Sequence, residues 1–249
     1  MVERGGDGGV FWQTLANLFS EAYARYRAAD WDAGARVLLD SSGNGRDSTS
    51  AVGTINVTTG AVGGATAEMV FLEGGTTSGI VFPTGSIPTT FTICSLTRYT
   101  GGAQQRILNT VTSNWLHGHH DGKRGVAHYD AWLYETSTGT LTDWLVMCGK
   151  NAATQALTVD GQLVAGSITG GGNKQLTINR GYGALDPLSG GDESSDWAAA
   201  EIVIWDRHLG SEEMLMVDEH LRNTLTGTTS ANCIDVDECT ADVCQVGGA

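Results

Sequence analysis

Positive charge is scarce in this sequence. Lysine and arginine number 14 against 28 aspartates and glutamates, for a formal net charge of −14. Proteins that hold a phosphate backbone need clustered Lys and Arg, so a nucleic-acid partner is excluded. The carboxylate surplus suits calcium, neutral polymers or simple solubility. Proline is nearly absent, at 3 residues, so the 35 glycines belong to no Pro/Gly-rich disordered tract. They read as turn residues, where positive φ is needed. No apolar run reaches the roughly eighteen residues of a membrane-spanning helix, and no membrane span is expected. A Gly-x-Ser-x-Gly elbow, a Walker loop and an HExxH pair are all missing, so the chain reads as a non-enzyme.

Cysteine is sparse until the end. Cys94 and Cys148 stand alone in the body of the chain, and Cys233, Cys239 and Cys244 crowd the C-terminus. Five is an odd number, so at least one has no disulfide partner within the chain. Phe91–Leu96 and Trp144–Cys148 read as core strands. There Cys94 and Cys148 are either free buried thiols, the preferred reading, or a cross-strand bridge, which demands the right register. The C-terminal cysteines are disulfide candidates. Such bonds persist outside the reducing cytosol, which points to an extracellular or cell-surface protein. Near the start, Phe11–Trp12 and Leu15–Phe19 are apolar, but Gln13, Thr14 and Asn17 interrupt them. This fits a secretory signal poorly and reads as a short amphipathic helix or an arm packed on the domain.

Most of the middle is written in short runs of Val, Ile, Thr, Phe and Trp, punctuated by Gly, Asp, Asn and Ser. The strands expected are Ile55–Thr58, Glu68–Leu72, Gly79–Phe82, Thr90–Thr97, Gln105–Thr110, Val126–Leu133, Trp144–Gly149, Ala156–Val159, Leu163–Ala165, Leu176–Asn179 and Glu201–Asp206. Asp160-Gly161 lies between two apolar runs and predicts a type I′ hairpin, whose central residues need φ > 0. One helix is expected late in the chain. Gly210 or Ser211 caps it, and Glu212 and Glu213 suit its positive end. Met214, Leu215, Val217, Asp218, Leu221 and Leu225 form its buried stripe. Many strands and one late helix predict an all-β sandwich, not alternating βαβ units.

Several motifs carry a family resemblance. Asp40-Ser41-Ser42-Gly43-Asn44-Gly45, Phe91-Thr92-Ile93 with Arg98, Asp160-Gly161, and Ile202-Val203-Ile204-Trp205-Asp206-Arg207-His208-Leu209 through Glu213 occur in an order that resembles the concanavalin A-like lectin/glucanase superfamily, in its laminin-G-like and pentraxin-like jelly rolls. The resemblance spans roughly residues 24–225 and implies two antiparallel sheets packed face to face. Members bind glycans, proteins or calcium, and one branch hydrolyses glucans, so fold alone does not fix function. The hydrolytic Glu-x-Asp-x-x-Glu run is missing here. Asp192-Glu193-Ser194-Ser195-Asp196, the nearest acidic cluster, reads as a solvated loop. Separately, Asp235-Val236-Asp237-Glu238-Cys239 resembles the opening of a calcium-binding EGF-like module. That resemblance implies calcium ligands from Asp235, Glu238 and the main-chain oxygen of Val236, with the rest later in such a module, and a polypeptide continuing past Ala249. The expected organisation is an N-terminal segment over 1–23, the jelly roll over 24–226, and a linker with a partial EGF-like segment over 227–249.

Three further groups draw attention. His117, His119, His120 and His128 are four of the six histidines. Trp115–His120 and Val126–Tyr129 read as hairpin arms around a turn at Asp121–Gly125. Trp115, His117, His119, His128 and Trp132 are therefore candidate ligand or partner contacts, with an aromatic face for a sugar and imidazoles to hydrogen-bond it; no standard zinc spacing is present. Asp40, Asn44 and Asp47 form an oxygen-rich loop that reads as turn formers rather than a second calcium site. Asn56-Val57-Thr58 is an N-glycosylation sequon, with Asn56 expected on an edge or outward face. The leading expectation is a non-enzymatic structural or adhesion module that assembles with other extracellular subunits. The alternative is a lectin that binds surface or matrix polysaccharide through the His117–His128 region.

Overall fold

A computed structural model describes residues 15–164, 170–182 and 193–228. The strands in chain order are β1 (Ala24–Asp32), β2 (Val37–Asp40), β3 (Ser50–Val52), β4 (Ile55–Gly60), β5 (Met69–Gly74) and β6 (Gly79–Val81). They continue as β7 (Thr92–Tyr99), β8 (Leu108–Thr110), β9 (Trp115–His120), β10 (Lys123–Tyr129) and β11 (Trp132–Tyr134). The last are β12 (Leu145–Lys150), β13 (Leu157–Val159), β14 (Gln162–Val164), β15 (Leu176–Ile178) and β16 (Trp197–Trp205). A helix over Ser211–Thr226 follows.

The strands form two antiparallel sheets, one of nine strands and one of seven. The larger runs β14-β13-β12-β7-β16-β1-β2, with β5 on part of β16 and β4 beyond it. The smaller runs β11-β10-β9-β8-β15-β6-β3. This is the all-β sandwich with one C-terminal-side helix that the residue pattern predicts. β7 and β16 sit at the centre of the larger sheet. The nine residues of β16 are buried throughout, because both of its faces are covered.

The core has two layers. Between the sheets lie Tyr26, Phe82, Phe91, Trp115, Tyr129, Leu145, Trp197 and Ile204 among others. The second layer lies on the other side of the larger sheet. There Leu96, Val146, Val203 and Trp205 meet Met214, Val217 and Leu221 of the helix and Leu15, Leu18 and Phe19 of a helical stretch over 15–20. Trp205 Nε1 donates to the Leu18 carbonyl at 2.8 Å, tying that stretch to the sheet. The helix starts at Gly210, whose N–H donates to the Glu213 carboxylate, and ends at Gly227 in the left-handed region, φ 62°. Asp218, on the helix's buried stripe, is tied to Arg222 at 2.7 Å.

Cys94 and Cys148 form a disulfide, which corrects the free-thiol expectation. They face each other directly in the β7–β12 ladder, so the register brings their Cα atoms to 4.0 Å. The Asp160-Gly161 hairpin forms as expected, with φ of 48° and 84°. Two other expectations change. Val126–Leu133 is two strands, because Asp130 turns the chain at φ 62°. β16 begins at Trp197, four residues before the expected Glu201, since ladders on both sides recruit Ala198 and Ala199 despite their weak β-propensity.

Candidate functional site

The β9–β10 hairpin turns at Asp121 and Gly122, both at positive φ (49° and 66°), a two-residue turn where five were expected. Side chains alternate along each strand, so the hairpin has an inner and an outer face. Trp115, His117 and His119 all fall on the inner face, inside the sandwich, and each has 0% exposure.

The inner imidazoles are structural. His117 Nε2 lies 3.3 Å from the Met147 carbonyl, across the core on β12. A carbonyl only accepts, so Nε2 carries the proton and Nδ1 accepts from the Tyr129 hydroxyl at 2.7 Å. His117 thus bridges the two sheets as a neutral ring. Burial pushes its pKa down from 6.5 to about 4, and the Met147 hydrogen bond only partly opposes this. His119 lies 3.5 Å from the Thr97 hydroxyl and edge-on to Tyr99. Burial, then the charge of Arg124 and the neighbouring His117, hold it well below the usual imidazole range. Trp115 stacks on Tyr129 at 4.9 Å. Gly149 makes room for this cluster, since a Cβ there would strike the Tyr129 hydroxyl. Trp115, His117 and His119 therefore reach no external ligand in this structure, which corrects their reading as contacts: their apolar surroundings make them core.

The outer face holds the other candidates. His128 pairs with Leu116 on one side and Trp132 on the other. Its Nδ1 donates to the Asn114 carbonyl at 2.8 Å, which leaves Nε2 of the neutral ring with its lone pair. The Trp132 indole meets His128 edge-on at 4.9 Å and His120 at 5.8 Å. Trp132 and His120 are half-buried and His128 is 8% exposed. His120 is lowered in pKa by burial first and then by the Arg106 charge. Asp130, exposed beside Trp132, pairs with Lys174 at 2.9 Å. Arg106 is buried, pairs with Glu193 at 2.6 Å and lies 5.5 Å from the Tyr182 ring. The structure thus unites His128 and Trp132 and adds His120, which the sequence reading left out of its contact set. The signal was available: His120 lies an odd number of residues from Trp115, on the opposite face.

The remaining candidates are placed as follows. Asp40 accepts main-chain N–H donors from Arg25, Ser42 and Arg46 at 2.9, 3.0 and 3.0 Å, and Asp47 accepts from Asp40 N at 2.7 Å. Burial works against the Asp40 charge, but these donors outweigh it and hold its pKa below the carboxylate norm. The loop is a turn that caps its own backbone. Glu193–Asp196 is no solvated loop: Ser194 and Ser195 are buried, and Asp196 accepts from Ala103 N at 3.0 Å. Asn56 is exposed on β4, an edge strand. Among the described residues no group of three or more His, Cys, Asp or Glu is placed to hold a metal. Cys233, Asp235, Val236, Glu238, Cys239 and Cys244 lie outside the described residues, and with them the calcium reading.

No protein-family model matches the chain, and no curated protein does. Solved structures do. Domain 4 of AbnA, a GH43 extracellular arabinanase from Geobacillus stearothermophilus solved with arabinotriose, is 16% identical; the match covers 78% of this chain and 97% of that one, with a TM-score of 0.52. The likeness is to a β-sandwich of two antiparallel sheets. A structure on botulinum neurotoxin type C, whose cell entry depends on two ganglioside molecules, matches at 13% identity over 83% of this chain and 53% of that one, TM-score 0.54. Trypanosoma rangeli sialidase matches at 14% identity over 87% of this chain, TM-score 0.51, and the match spans only 38% of that enzyme. At these identities the likeness is one of fold alone.

Proposed function

We propose that this chain is a non-enzymatic carbohydrate-binding module that works outside the cell and takes a glycan on the outer face of β9, β10 and β11. The observation that carries this is the outer cluster: Trp132 flanked by His120 and His128, with the lone pair of His128 Nε2 available. An indole offers an apolar face to the C–H side of a sugar ring, and the imidazoles and the Asp130–Lys174 pair supply polar contacts around it. The solved neighbours with arabinotriose and with ganglioside dependence support the reading by fold. The Cys94–Cys148 disulfide supports the location, because such bonds persist in oxidising compartments. Any calcium would belong to the Asp235–Glu238 segment, not to this surface.

A glycan array, run with and without EDTA, tests it. Saturable binding of a defined sugar is expected, with a loss of about thirty-fold or more in Trp132→Ala. Binding untouched by Trp132→Ala and His128→Ala would place the site elsewhere. A second reading, assembly with other extracellular subunits, draws on β4, whose outer edge pairs with no strand among the described residues and which exposes Val57 at 50%. Light scattering on the same samples reads that outcome.

A further inference from the structure

The nine-stranded sheet forks at Ala200. Along one side β16 runs against β7 for its whole length. On the other side Trp197–Ala199 pair with β5, and the ladder with β1 runs from Glu201 to Ile204. Ala200 stands in none of these registers, and the β7 ladder shifts between Ala199 and Glu201. The shift is a β-bulge. Ala198 and Ala200 face the helix layer, while Ala199 and Ile202 face the core between the sheets. The extra residue therefore turns Glu201 to the same side as Ala200 instead of into the core. Bulges re-aim side chains in this way and gather near functional sites.

A cavity of about 190 Å³ opens at this fork. Its floor is Met69, Leu96 and Ala200, and its mouth carries Glu68, Glu201 and Thr224. The Glu201 side chain is only 10% exposed and is held by Arg25 at 2.8 Å. Arg27, also at the wall, is neutralised by Asp30 at 2.8 Å. Glu68 forms no ion pair among the described residues. The helix ends beside the mouth with no basic residue in its last turn, so its negative end adds to the carboxylates. An apolar cavity of about 150 Å³ accepts a benzene-sized guest, whereas drug-sized pockets start at roughly 300 Å³. An oligosaccharide does not fit here.

We propose that this fork binds a small primary alkylammonium, its stem on Met69, Leu96 and Ala200 and its cation at Glu68, with Glu201 committed to Arg25. The proposal is independent of the glycan reading, since it uses the opposite sheet. Calorimetry of the full chain with pentylammonium tests it, with pentanoate as the charge-reversed control. Saturable pentylammonium binding is expected, abolished by Ala200→Leu, which fills the floor, and weakened about five-fold by Glu68→Gln at an exposed position that leaves folding intact. Trp132→Ala leaves this binding unchanged, so its fate is separable from that of the glycan site. No saturable heat, equal binding of pentanoate, or indifference to Glu68→Gln would overturn the proposal. Nα-acetyl-lysine methylamide separates two sources of the ligand: if it binds, the site takes a partner's lysine side chain, and if only pentylammonium binds, it takes a free amine.

Discussion

The two faces of the β9–β10 hairpin carry the same side-chain types to opposite ends. On the inner face a tryptophan and two histidines are fully buried: both ring nitrogens of His117 face partners, while His119 meets Thr97 through Nδ1 and its buried Nε2 has no hydrogen-bond partner among the described residues. On the outer face His128 and His120 flank a half-buried tryptophan, with one ring nitrogen of His128 left over. Side-chain chemistry is common to both faces; what differs is solvent access. A buried imidazole costs desolvation, so it must be neutral and hydrogen-bonded. An outer one keeps its capacity for a ligand.

That comparison breaks most sharply at the tryptophans. Trp115→Ala should cost about 3–5 kcal/mol of stability in urea unfolding, because it empties the stack on Tyr129 and the contact with Phe91. Trp132→Ala should cost roughly 1 kcal/mol or less and act on glycan binding instead. Equal destabilisation by both would show that the outer cluster is core as well.

Acid gives the next largest effect. The unfolded chain protonates His117 near 6.5, whereas the native protein resists protonation until about 4. Between these values the unfolded state binds more protons, so stability falls as pH falls through the window and levels off below it. The size is about 3 kcal/mol from this residue, and His119 acts in the same direction. Unfolding free energies across pH 7 to 4, compared between the native sequence and His117→Gln, measure it. An identical pH slope in the two proteins would refute the assignment.

The smallest effect tests the bond itself. Tyr129→Phe removes the hydroxyl that donates to His117 Nδ1 and strands that nitrogen in the core. A loss of about 1–2 kcal/mol is expected, with glycan binding unchanged.

Much of this was legible before folding. The apolar stripe and capping glutamates of the helix, the Asp160-Gly161 turn and the carboxylate of Asp40 are local devices, each settled within a few residues. The sandwich class follows from strand after short strand with one late helix. Other features depend on partners far along the chain. Ala198 and Ala199 have little intrinsic preference for a strand, and only the ladders with β5 and β7 on either side hold them in one. Asp121-Gly122 carries the same turn signal as Asp160-Gly161, but the glycine at 125 masked where the strand resumed.

The sequence by itself determined the all-β class, the turns, the helix and the fact that Trp115, His117 and His119 share one face while His120 lies on the other, because those depend on backbone periodicity and local φ preference. Tertiary structure alone decided which face is core, that Cys94 meets Cys148, and that a bulge at Ala200 turns Glu201 away from the core. Each of these is a matter of register between strands remote in sequence, where a slip of one residue exchanges inside for outside.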